Sequence, residues 1–354
     1  MHNCNPNADF LPIFVVTYKL FEFQTTYKKL FLKKKIELYN HMKKIPIVFC
    51  FDDKLELPAG VCLTSLLVHA NPETFYDIFI LHSDKCTFSD SRLHELPSKY
   101  NNCSMTFRCV GNEFESAFEI RGITVSAYYR LLIPEIIPEY DKIIYSDVDV
   151  IFRKDLAQIY ESTDMTGFYM AGVVDPMPDA YVFSYIKKLN LLPEDYIYSG
   201  NLIINSELIR ADGIVQQFVK EANHSAYKYQ DMDIINIVCN GKVKKISPEF
   251  CLSVSVRECA AYQKKTLIYT IQELEESLKD GIVHYNGAKP WVQYCPDFDI
   301  WWEYYRKSIF FDQKYYFDFF NRKMNDYDLL PLWKRIKILL RWFVLKASPV
   351  IASR

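Results

Sequence analysis

The sequence predicts an α/β protein with a parallel sheet and helices on both faces. From Ile45 onward, short apolar segments typical of strands alternate with amphipathic segments typical of helices. Half of the residues are hydrophobic and the formal net charge is −2, so the chain can bury a core and lacks the basic excess expected for binding nucleic acid. In sheets of this class, ligands bind at the carboxyl ends of the strands.

The alternation is clearest before residue 111. In chain order it predicts a strand at 45–51, a helix at 58–69, a strand at 76–81, a helix at 91–100 and a strand at 105–110. No G-x-G-x-x-G loop follows the first strand, which argues against a dinucleotide-dependent dehydrogenase. With 354 residues, the chain is long enough for one large domain or two modest ones.

The next strand, predicted at 142–145, ends in a pair of acidic residues. Residues 142–145 are short, apolar and rich in β-branched side chains, and Asp147 and Asp149 follow them with Val148 between. A bend after the strand would place both carboxylates around one divalent cation, and oxygen ligands suit Mg²⁺ or Mn²⁺. Two acids at this spacing are also common in solvated loops, so the pair alone does not establish a metal site.

A second segment, His284-Tyr285-Asn286-Gly287-Ala288-Lys289-Pro290-Trp291, strengthens the metal hypothesis. His284 can supply an imidazole to a cation, and Lys289 can place a positive charge beside a phosphate. Gly287 permits either a sharp turn or a close approach of backbone to a ligand. Taken singly, His284 could equally be an ordinary core or surface residue. Together, the two segments describe a cation site and a cradle for a diphosphate.

These segments, with four others in the same order, resemble glycosyltransferase family 8. The family contains retaining nucleotide-sugar transferases, among them bacterial lipopolysaccharide galactosyl- and glucosyltransferases and glycogenin. The resemblance runs from about residue 45 to 291, and its ordered combination is more specific than any one motif. The four other segments are I-V-F-C-F-D-D at 47–53, S-A-Y-Y-R-L at 126–131, G-N-L-I-I-N at 200–205 and Y-Q-D-M-D-I-I-N at 229–236.

The resemblance implies a GT-A fold, a Rossmann-like mixed sheet with helices on both faces, followed here by a C-terminal helical tail. It places the catalytic domain at 42–297, with the nucleotide in the N-terminal half and the acceptor in the C-terminal half. Asp147, Asp149 and His284 match the family's metal ligands. An imidazole in the set favours Mn²⁺ over Mg²⁺, which prefers oxygen ligands.

The same resemblance assigns residues to the UDP-sugar. Asp52 matches the acid that binds the uracil edge, Arg130 an arginine that reaches the sugar and phosphate, and Asp231 the acid at the sugar face. Arg130 and Asp231 are thus the catalytic candidates, and the full donor-binding set is Asp52, Asp53, Arg130, Asp147, Val148, Gly200, Asp231, Gly287 and Lys289. Four of these residues also have a simpler explanation. Asp52 and Asp53 could be turn residues, Arg130 a surface cation, and Asp231 the N-cap of a helix over 232–239.

Three positions depart from the family pattern. Met232 stands where relatives often have Gln, Tyr198 replaces a common Asn, and Lys54 stands where Asn is frequent. Asp175 matches an acceptor-side position only loosely. Because a thioether is a poor nucleophile, we expect front-face attack rather than double displacement, with the leaving phosphate oxygen taking the acceptor proton.

The resulting hypothesis is a metal-dependent retaining transferase that moves glucose or galactose from a UDP-sugar to a saccharide or glycolipid acceptor, in lipopolysaccharide or other surface glycan synthesis. One alternative is a catalytically degenerate sugar-nucleotide-binding protein, which Met232 would favour. Another is a metal phosphodiesterase, which would need more clustered His and Asp residues than His284 alone provides.

The two ends of the chain lie outside the family resemblance. Residues 1–41 are expected to be an upstream extension or a mistaken start, because Met42 stands directly before the first strand. The ten Cys form no C-x-x-C pair, and no secretory signal pattern or apolar run of 18 residues occurs, so we expect reduced thiols and a cytoplasmic location.

Residues 298–354 are aromatic and, after Asp328, contain no acid. If 331–343 is helical, one face is apolar and another basic. Such a helix could lie on the anionic inner face of the cell membrane or dock on the protein's own core. The apolar face would hold Ile336, Leu339, Leu340 and Phe343, and the basic face Lys334, Lys337 and Arg341.

Overall fold

The structure, a computed structural model, describes residues 42–114, 116–119 and 125–346. Within them the main element is a seven-stranded sheet with the order β3-β2-β1-β4-β7-β6-β8, and β5 and β9 form a separate two-stranded sheet. The strands are β1 (Lys43–Cys50), β2 (Thr74–Ser83), β3 (Cys103–Val110), β4 (Lys142–Ser146), β5 (Val150–Ile151), β6 (Met170–Gly172), β7 (Asn201–Asn205), β8 (Val243–Lys245) and β9 (Val283–His284).

The large sheet is mixed. β1 pairs with β4, β2 with β3 and β6 with β8 in parallel, whereas β7 is antiparallel to both β4 and β6. The parallel sheet predicted from the alternation is therefore correct for the pairs β2–β3 and β1–β4, and wrong at β7. The alternation of strands and helices does not predict whether a later strand, such as β7, joins the sheet parallel or antiparallel. The mixed GT-A sheet that the resemblance implies is confirmed.

Helices cover the sheet, and one of the predicted helices is broken. The expected helix at 91–100 is a 3₁₀ turn, Arg92–Glu95, followed by one α-turn, because Pro97 lacks the amide hydrogen needed to continue the ladder of backbone hydrogen bonds. The described α-helices are α1 (Glu56–Val68), α2 (Leu96–Lys99), α3 (Ile133–Ile136), α4 (Ala157–Ser162), α5 (Ala180–Lys188), α6 (Ser206–Ala211), α7 (Ile214–His224), α8 (Gln230–Val238), α9 (Val254–Ala261), α10 (Ile271–Asp280), α11 (Phe298–Lys307), α12 (Gln313–Asp328) and α13 (Leu332–Lys346).

Strand β1 shows how the sheet is buried on both faces. Ile47 and Phe49 belong to one hydrophobic cluster, which also contains residues of α1, α10 and α11. Val48 and Cys50 belong to a second cluster, which contains residues of α7 and α8. Because successive side chains of a strand point to opposite faces, one apolar strand supplies both cores.

The C-terminal helices differ in burial. Trp301 and Trp302 of α11 are fully buried, whereas the apolar side chains described in α13 are exposed. Among the described residues, no helix is both long and apolar enough to cross a bilayer. The expectation for residues 1–41 lies outside the described residues, and a functional division at residue 298 stays a prediction.

Candidate active site

The site lies where the strand order reverses, between β1 and β4. These two strands are parallel neighbours, with Ile47 opposite Ile144 and Val48 opposite Tyr145. Asp52 follows the end of β1, and Asp147 follows the end of β4. The carboxyl ends of adjacent parallel strands on either side of such a reversal form the usual ligand crevice of open α/β sheets. Sequence position and topology thus place both acids at the same edge.

Three segments bring the metal-ligand candidates together. The amide of Asp147 donates to the carbonyl of Gly200 at 2.7 Å, which fixes the start of the acidic loop against the start of β7. In the small sheet Val150 pairs with His284, and the amide of Tyr285 donates to the carbonyl of Asp149 at 2.9 Å. The small sheet therefore holds the acidic loop beside the His284 segment.

The carboxylates and the imidazole form one cluster. The candidate ligand atoms of Asp147, Asp149 and His284 all lie within 4.8 Å of one another. His284 Nε2 is 3.2 Å from Asp149 Oδ1 and 3.6 Å from Asp147 Oδ2. Lys289 Nζ contacts the other oxygen of Asp149 and donates to the carbonyl of Tyr285 at 2.7 Å. The predicted combination of two acids, His284 and Lys289 is thus assembled in space.

The charges within this cluster are strongly coupled. Burial alone would raise the pKa of Asp149, but His284 and Lys289 lower it well below the ordinary value for a carboxyl group. Burial alone would lower the pKa of His284, but Cys251, Asp149 and Asp147 raise it well above the ordinary value for an imidazole. A positive charge between the carboxylates is therefore favourable, whether it is a proton on His284 or a cation.

Two features make the cluster suitable for a divalent cation. Among the described residues, the buried Asp149 Oδ1 accepts no hydrogen bond, although His284 Nε2 is near it. Gly200 borders the same space: a Cβ there would lie 2.3 Å from His284 Cε1 and 2.9 Å from Asp147 Oδ2. The donor set of two carboxylates and one imidazole suits Mn²⁺. Any larger residue at 200 would displace two of the three candidate ligands.

Arg130 is buried and links two acids of the site. Its Nη2 is 3.0 Å from Asp147 Oδ1, and its Nη1 is 3.2 Å from Asp231 Oδ2. The guanidinium also donates to the carbonyls of Ala127 at 2.8 Å and Ser199 at 2.7 Å. The simpler explanation, a surface cation, is therefore wrong. Burial alone would lower the pKa of Arg130, but Asp147 and Asp231 raise it above its ordinary value.

Asp231 reaches Arg130 from the first turn of α8. The helix begins at Gln230 and its N-cap is Tyr229, so the N-cap role considered for Asp231 is wrong. Gln230 has a φ of 43°, a left-handed conformation that is unfavourable for a residue with a side chain, and its amide group donates to the carbonyl of Phe118 at 3.0 Å. Burial raises the pKa of Asp231, while Arg130 opposes that shift.

The remaining donor-binding candidates lie around this centre. Asp52 caps the 3₁₀ turn Asp53–Leu55 by accepting from the amide of Lys54 at 3.2 Å, so the turn function suggested by the sequence is present. Val148 is buried between the two acids, and Asp53 is exposed. Gly287 does not have a positive φ, and a Cβ there would meet nothing within 4 Å. The chain bends at Gly287, but the φ there does not require glycine, and close approach to a ligand stays a prediction.

Two further side chains, which were not predicted from the sequence, support the cluster. Tyr145 donates its hydroxyl to Asp147 Oδ1 at 2.6 Å, and its ring lies 4.4 Å from the Arg130 guanidinium carbon. Cys251 Sγ lies 3.2 Å from His284 Nδ1. Tyr145 could have been suspected from its place two residues before Asp147. No local pattern marks Cys251, which is 33 residues from its partner.

The three positions that depart from the family pattern have clear environments. Met232 is half-buried and packs against an apolar cluster that contains Ile186, Leu191 and Tyr196. Burial first, and then the neighbouring Asp175, raise the pKa of Tyr198 well above its ordinary value. Lys54 is exposed in the turn that Asp52 caps.

A cavity of about 290 Å³ is lined in part by residues that are close in sequence to the cluster. Its walls include Asp175, Tyr198, Ser255 and Asn286. Asn286 is two residues after His284, and Tyr198 is two residues before Gly200. Asp175 is held by hydrogen bonds from the Ser255 hydroxyl at 2.5 Å and the Met177 amide at 2.9 Å. The loosely matched Asp175 therefore lines a defined pocket, whose walls include sequence neighbours of His284 and Gly200.

Comparison with known proteins agrees with this geometry. The profile described as Glycosyl transferase family 8 matches residues 46–295. The chain belongs to glycosyltransferase family 8.

Individual relatives are more distant. A curated relative from Haemophilus influenzae is 31% identical over 211 residues, which are 57% of this chain and 60% of that protein. General stress protein A of Bacillus subtilis is 25% identical over 253 residues, 69% of this chain and 86% of that protein. The chain therefore spans less than two thirds of the length of the first of these relatives.

Among solved structures, the fold is similar to that of galactosyltransferase LgtC in complex with donor and acceptor sugar analogues. The TM-score is 0.62 at 22% identity, covering 77% of this chain and 99% of that one. At this identity the likeness establishes the GT-A-type fold.

Proposed function

We propose that the protein is a metal-dependent retaining hexosyltransferase that uses a UDP-sugar, with glucose or galactose as the transferred sugar. The single observation that supports it most is the cluster of Asp147, Asp149 and His284 within 4.8 Å at the strand-order reversal. A phosphodiesterase would require further clustered ligands, and among the described residues this is the one cluster of its kind. The proposed acceptor is a saccharide or glycolipid of lipopolysaccharide or another surface glycan.

Asp147, Asp149 and His284 would hold the cation, with Mn²⁺ favoured over Mg²⁺ because one ligand is an imidazole. A bound cation would offset the charge that develops on the departing diphosphate. Lys289 would add a second positive charge on the same side, since its ammonium is anchored at Asp149 while about a third of its side chain remains exposed. Electrostatic stabilisation of the leaving group is commonly the largest contribution in reactions of this kind.

The nucleotide would lie along the carboxyl ends of β1 and β4. Asp52 would accept the imide hydrogen of uracil while its other contacts hold the 3₁₀ turn that begins at Asp53. The backbone at Val148, Gly200 and Gly287 would line the path of the diphosphate. The open space beside Gly287 supports this placement, because no described protein group fills it.

Arg130 and Asp231 would act on the sugar side. Arg130 holds Asp231 and Asp147 in fixed relative positions, so the sugar-binding acid and the cation-binding acid are coupled through one guanidinium. Asp231 would accept hydrogen bonds from sugar hydroxyls. Met232 packs into an apolar cluster, which supports a mechanism without a nucleophile at that position.

We propose front-face substitution. The acceptor oxygen would form its bond to the anomeric carbon on the face from which UDP departs, and the acceptor proton would pass to the leaving phosphate oxygen. The 290 Å³ cavity would receive the acceptor, because its walls contain the polar side chains of Asp175, Ser255 and Asn286, and Asn286 is two residues from His284. The anomeric configuration would be retained.

The exposed helix α13 would attach the protein to an anionic membrane surface at the cytoplasmic side. Its described apolar side chains are between 47% and 73% exposed, so they are not buried in the core. Lys334 and Lys337 would contribute about 1 kcal/mol each near an anionic surface. This placement would bring the site close to a lipid-linked acceptor.

The proposed function can be tested with a panel of UDP-sugars. We expect Mn²⁺-dependent release of UDP from UDP-glucose or UDP-galactose, abolished by EDTA and restored by added Mn²⁺. Identification of an acceptor would then allow NMR of the product, and an α-configured donor should give an α-linkage. Tight UDP-sugar binding without release of UDP from any donor, with or without acceptors, would favour the degenerate sugar-nucleotide-binding protein instead.

A further inference from the structure

Cys251 lies directly behind the imidazole of His284. Its Sγ is 3.2 Å from His284 Nδ1, the ring nitrogen that does not face the acids. Both residues are buried, Cys251 completely. The thiol of Cys251 is therefore shielded from solvent, and its polar contact is with the imidazole of His284. None of the roles proposed above for donor, acceptor or cation uses Cys251.

Backbone pairing fixes this contact. Leu252 forms a bridge with Val283, so the segment that contains Cys251 runs beside β9. The amide of Leu252 donates to the carbonyl of Ile282 at 2.7 Å, and the amide of His284 donates to the carbonyl of Leu252 at 3.2 Å. These backbone hydrogen bonds fix the register between the segment that contains Cys251 and the segment that contains His284. The sulfur–nitrogen contact is therefore built into the fold.

The same segment is tied to the acidic loop. Asn201 donates its side-chain amide to the carbonyl of Phe250 at 2.7 Å and accepts from the hydroxyl of Ser146 at 2.9 Å. Ser146 directly precedes Asp147. The position of Cys251 behind His284 and the position of Asp147 in front of it are thus set through one hydrogen-bonded path.

An imidazole that binds a cation through one nitrogen must carry its proton on the other. His284 Nε2 faces Asp149 and Asp147, so the proton must be on Nδ1 when Nε2 is a ligand. Nδ1–H then has Cys251 Sγ as its acceptor. Metal-binding histidines usually donate this hydrogen to a carboxylate, a carbonyl or a water, and such partners orient the ring and increase metal affinity.

We infer that Cys251 is a positioning residue for the cation site: it accepts a hydrogen bond from His284 Nδ1, selects the tautomer with a free Nε2, and fixes the plane of the ring. The inference rests on the proposed cation site at Asp147, Asp149 and His284. Sulfur is a weak hydrogen-bond acceptor, so its contribution is to orient the imidazole rather than to form a strong bond.

The test compares three variants of the full chain by Mn²⁺ titration in the presence of saturating UDP, with free Mn²⁺ measured by electron paramagnetic resonance. Cys251→Ala removes the acceptor and should weaken Mn²⁺ binding about tenfold or more. Cys251→Ser keeps an acceptor and should stay within about threefold of the unaltered protein. Cys239→Ala is the matched control, because Cys239 is also completely buried but lies at the end of α8, away from His284.

The hydrogen bond at Nδ1 gives a readout that packing alone would not change. In protein labelled with ¹⁵N-histidine and bound to Mg²⁺ and UDP, two-bond ¹H–¹⁵N spectra should show His284 with its proton on Nδ1. Cys251→Ala should keep that tautomer while the cation is bound but move the Nδ1 chemical shift, because the proton loses its sulfur acceptor, and Cys239→Ala should not move it. The chain has seven histidines, so the signal can be assigned with a His284→Asn spectrum.

The outcomes separate the inference from the proposed function. If the unaltered protein binds Mn²⁺ and Cys251→Ala binds it as tightly as Cys239→Ala, Cys251 has no positioning role. If Cys251→Ala fails to fold, Cys251→Ser decides: a loss of Mn²⁺ affinity as large as that of His284→Asn would mean that an acceptor at position 251 does not orient the imidazole, and the hydrogen-bond role of Cys251 would be wrong. If the unaltered protein binds no Mn²⁺ with or without UDP, the proposed cation site itself is wrong, and the inference falls with it.

Discussion

Helices α11 and α13 are both tryptophan-containing helices of the C-terminal region, yet they differ in what surrounds them. Trp302 of α11 is 1% exposed and lies among aromatic rings that include Tyr305, Phe319 and Phe320. Its indole donates to the carbonyl of Pro290, the residue after Lys289, at 3.1 Å. Trp333 of α13 is 61% exposed. The aromatic residues of α11 thus support the site, whereas the described aromatic residues of α13 are exposed.

This difference shows what composition alone cannot distinguish. Both helices combine aromatic and basic residues, and they were predicted as one region. Burial separates them: α11 packs in the same hydrophobic cluster as α1 and β1, and α13 contributes no residue to that cluster among the described ones. The structure therefore contradicts the alternative in which α13 docks on the protein's own core. The following predictions test whether function divides in the same way.

The largest effect is expected inside the site. Asp149→Ala should reduce UDP-sugar turnover about a thousandfold or more, because it removes a candidate cation ligand and the partner of Lys289. The fold should persist, because Asp149 is outside the two apolar cores. Turnover is measured as Mn²⁺-dependent release of UDP, and folding by circular dichroism.

The matched control for this change is Asp164→Ala. Asp164 is an exposed acid in the loop after α4, and its carboxylate accepts hydrogen bonds from Thr166. Its loss should leave turnover within about twofold. Undiminished turnover of Asp149→Ala, or of the unaltered protein in EDTA, would refute the cation site.

The second effect concerns stability and tests the two tryptophans directly. Trp302→Ala should lower the free energy of unfolding by about 3–5 kcal/mol, because it leaves a cavity and an unpaired carbonyl at Pro290. Trp333→Ala should change it by less than about 0.5 kcal/mol, because the side chain is already in contact with solvent. Urea unfolding followed by far-ultraviolet circular dichroism measures both. Equal destabilisation by the two substitutions would mean that α13 is packed after all.

The third effect concerns the proposed membrane surface. Removing residues 331–354 should release the protein from vesicles that contain anionic lipid, and high salt should reproduce part of that loss by screening the charge contribution. UDP-sugar hydrolysis in solution should be largely unchanged, because every candidate site residue precedes Trp291. Co-sedimentation with vesicles measures binding, and vesicles of neutral lipid are the control. If full-length and truncated protein sediment equally, α13 has another partner.

How much of the site can be predicted from the sequence depends on how far apart along the chain the contacting residues are. Asp147 and Asp149 could be predicted because they follow a recognisable strand, and the segment at 284–291 suggested His284 and Lys289, whose place in the site the family resemblance then strengthened. The contacts of Arg130 with Asp231 and of Cys251 with His284 join distant parts of the chain, so no local pattern reveals them. Likewise, the apolar periodicity of 331–343 predicted a helix correctly but could not show that its apolar face would remain exposed.

The smallest effect is expected at Met232, which tests whether the site is complete without a nucleophile there. Its side chain packs against the apolar cluster around Ile186 and Tyr196, so Met232→Ala should remove packing and leave Asp231 paired with Arg130. We expect retaining transfer to continue with kcat within about threefold, since less than about 1 kcal/mol of transition-state stabilisation is at stake. Met324→Ala, at an exposed position of α12, is the matched control. Loss of all turnover in Met232→Ala with unchanged folding and UDP binding would show that this position takes part in the chemistry, and front-face attack without it would have to be abandoned.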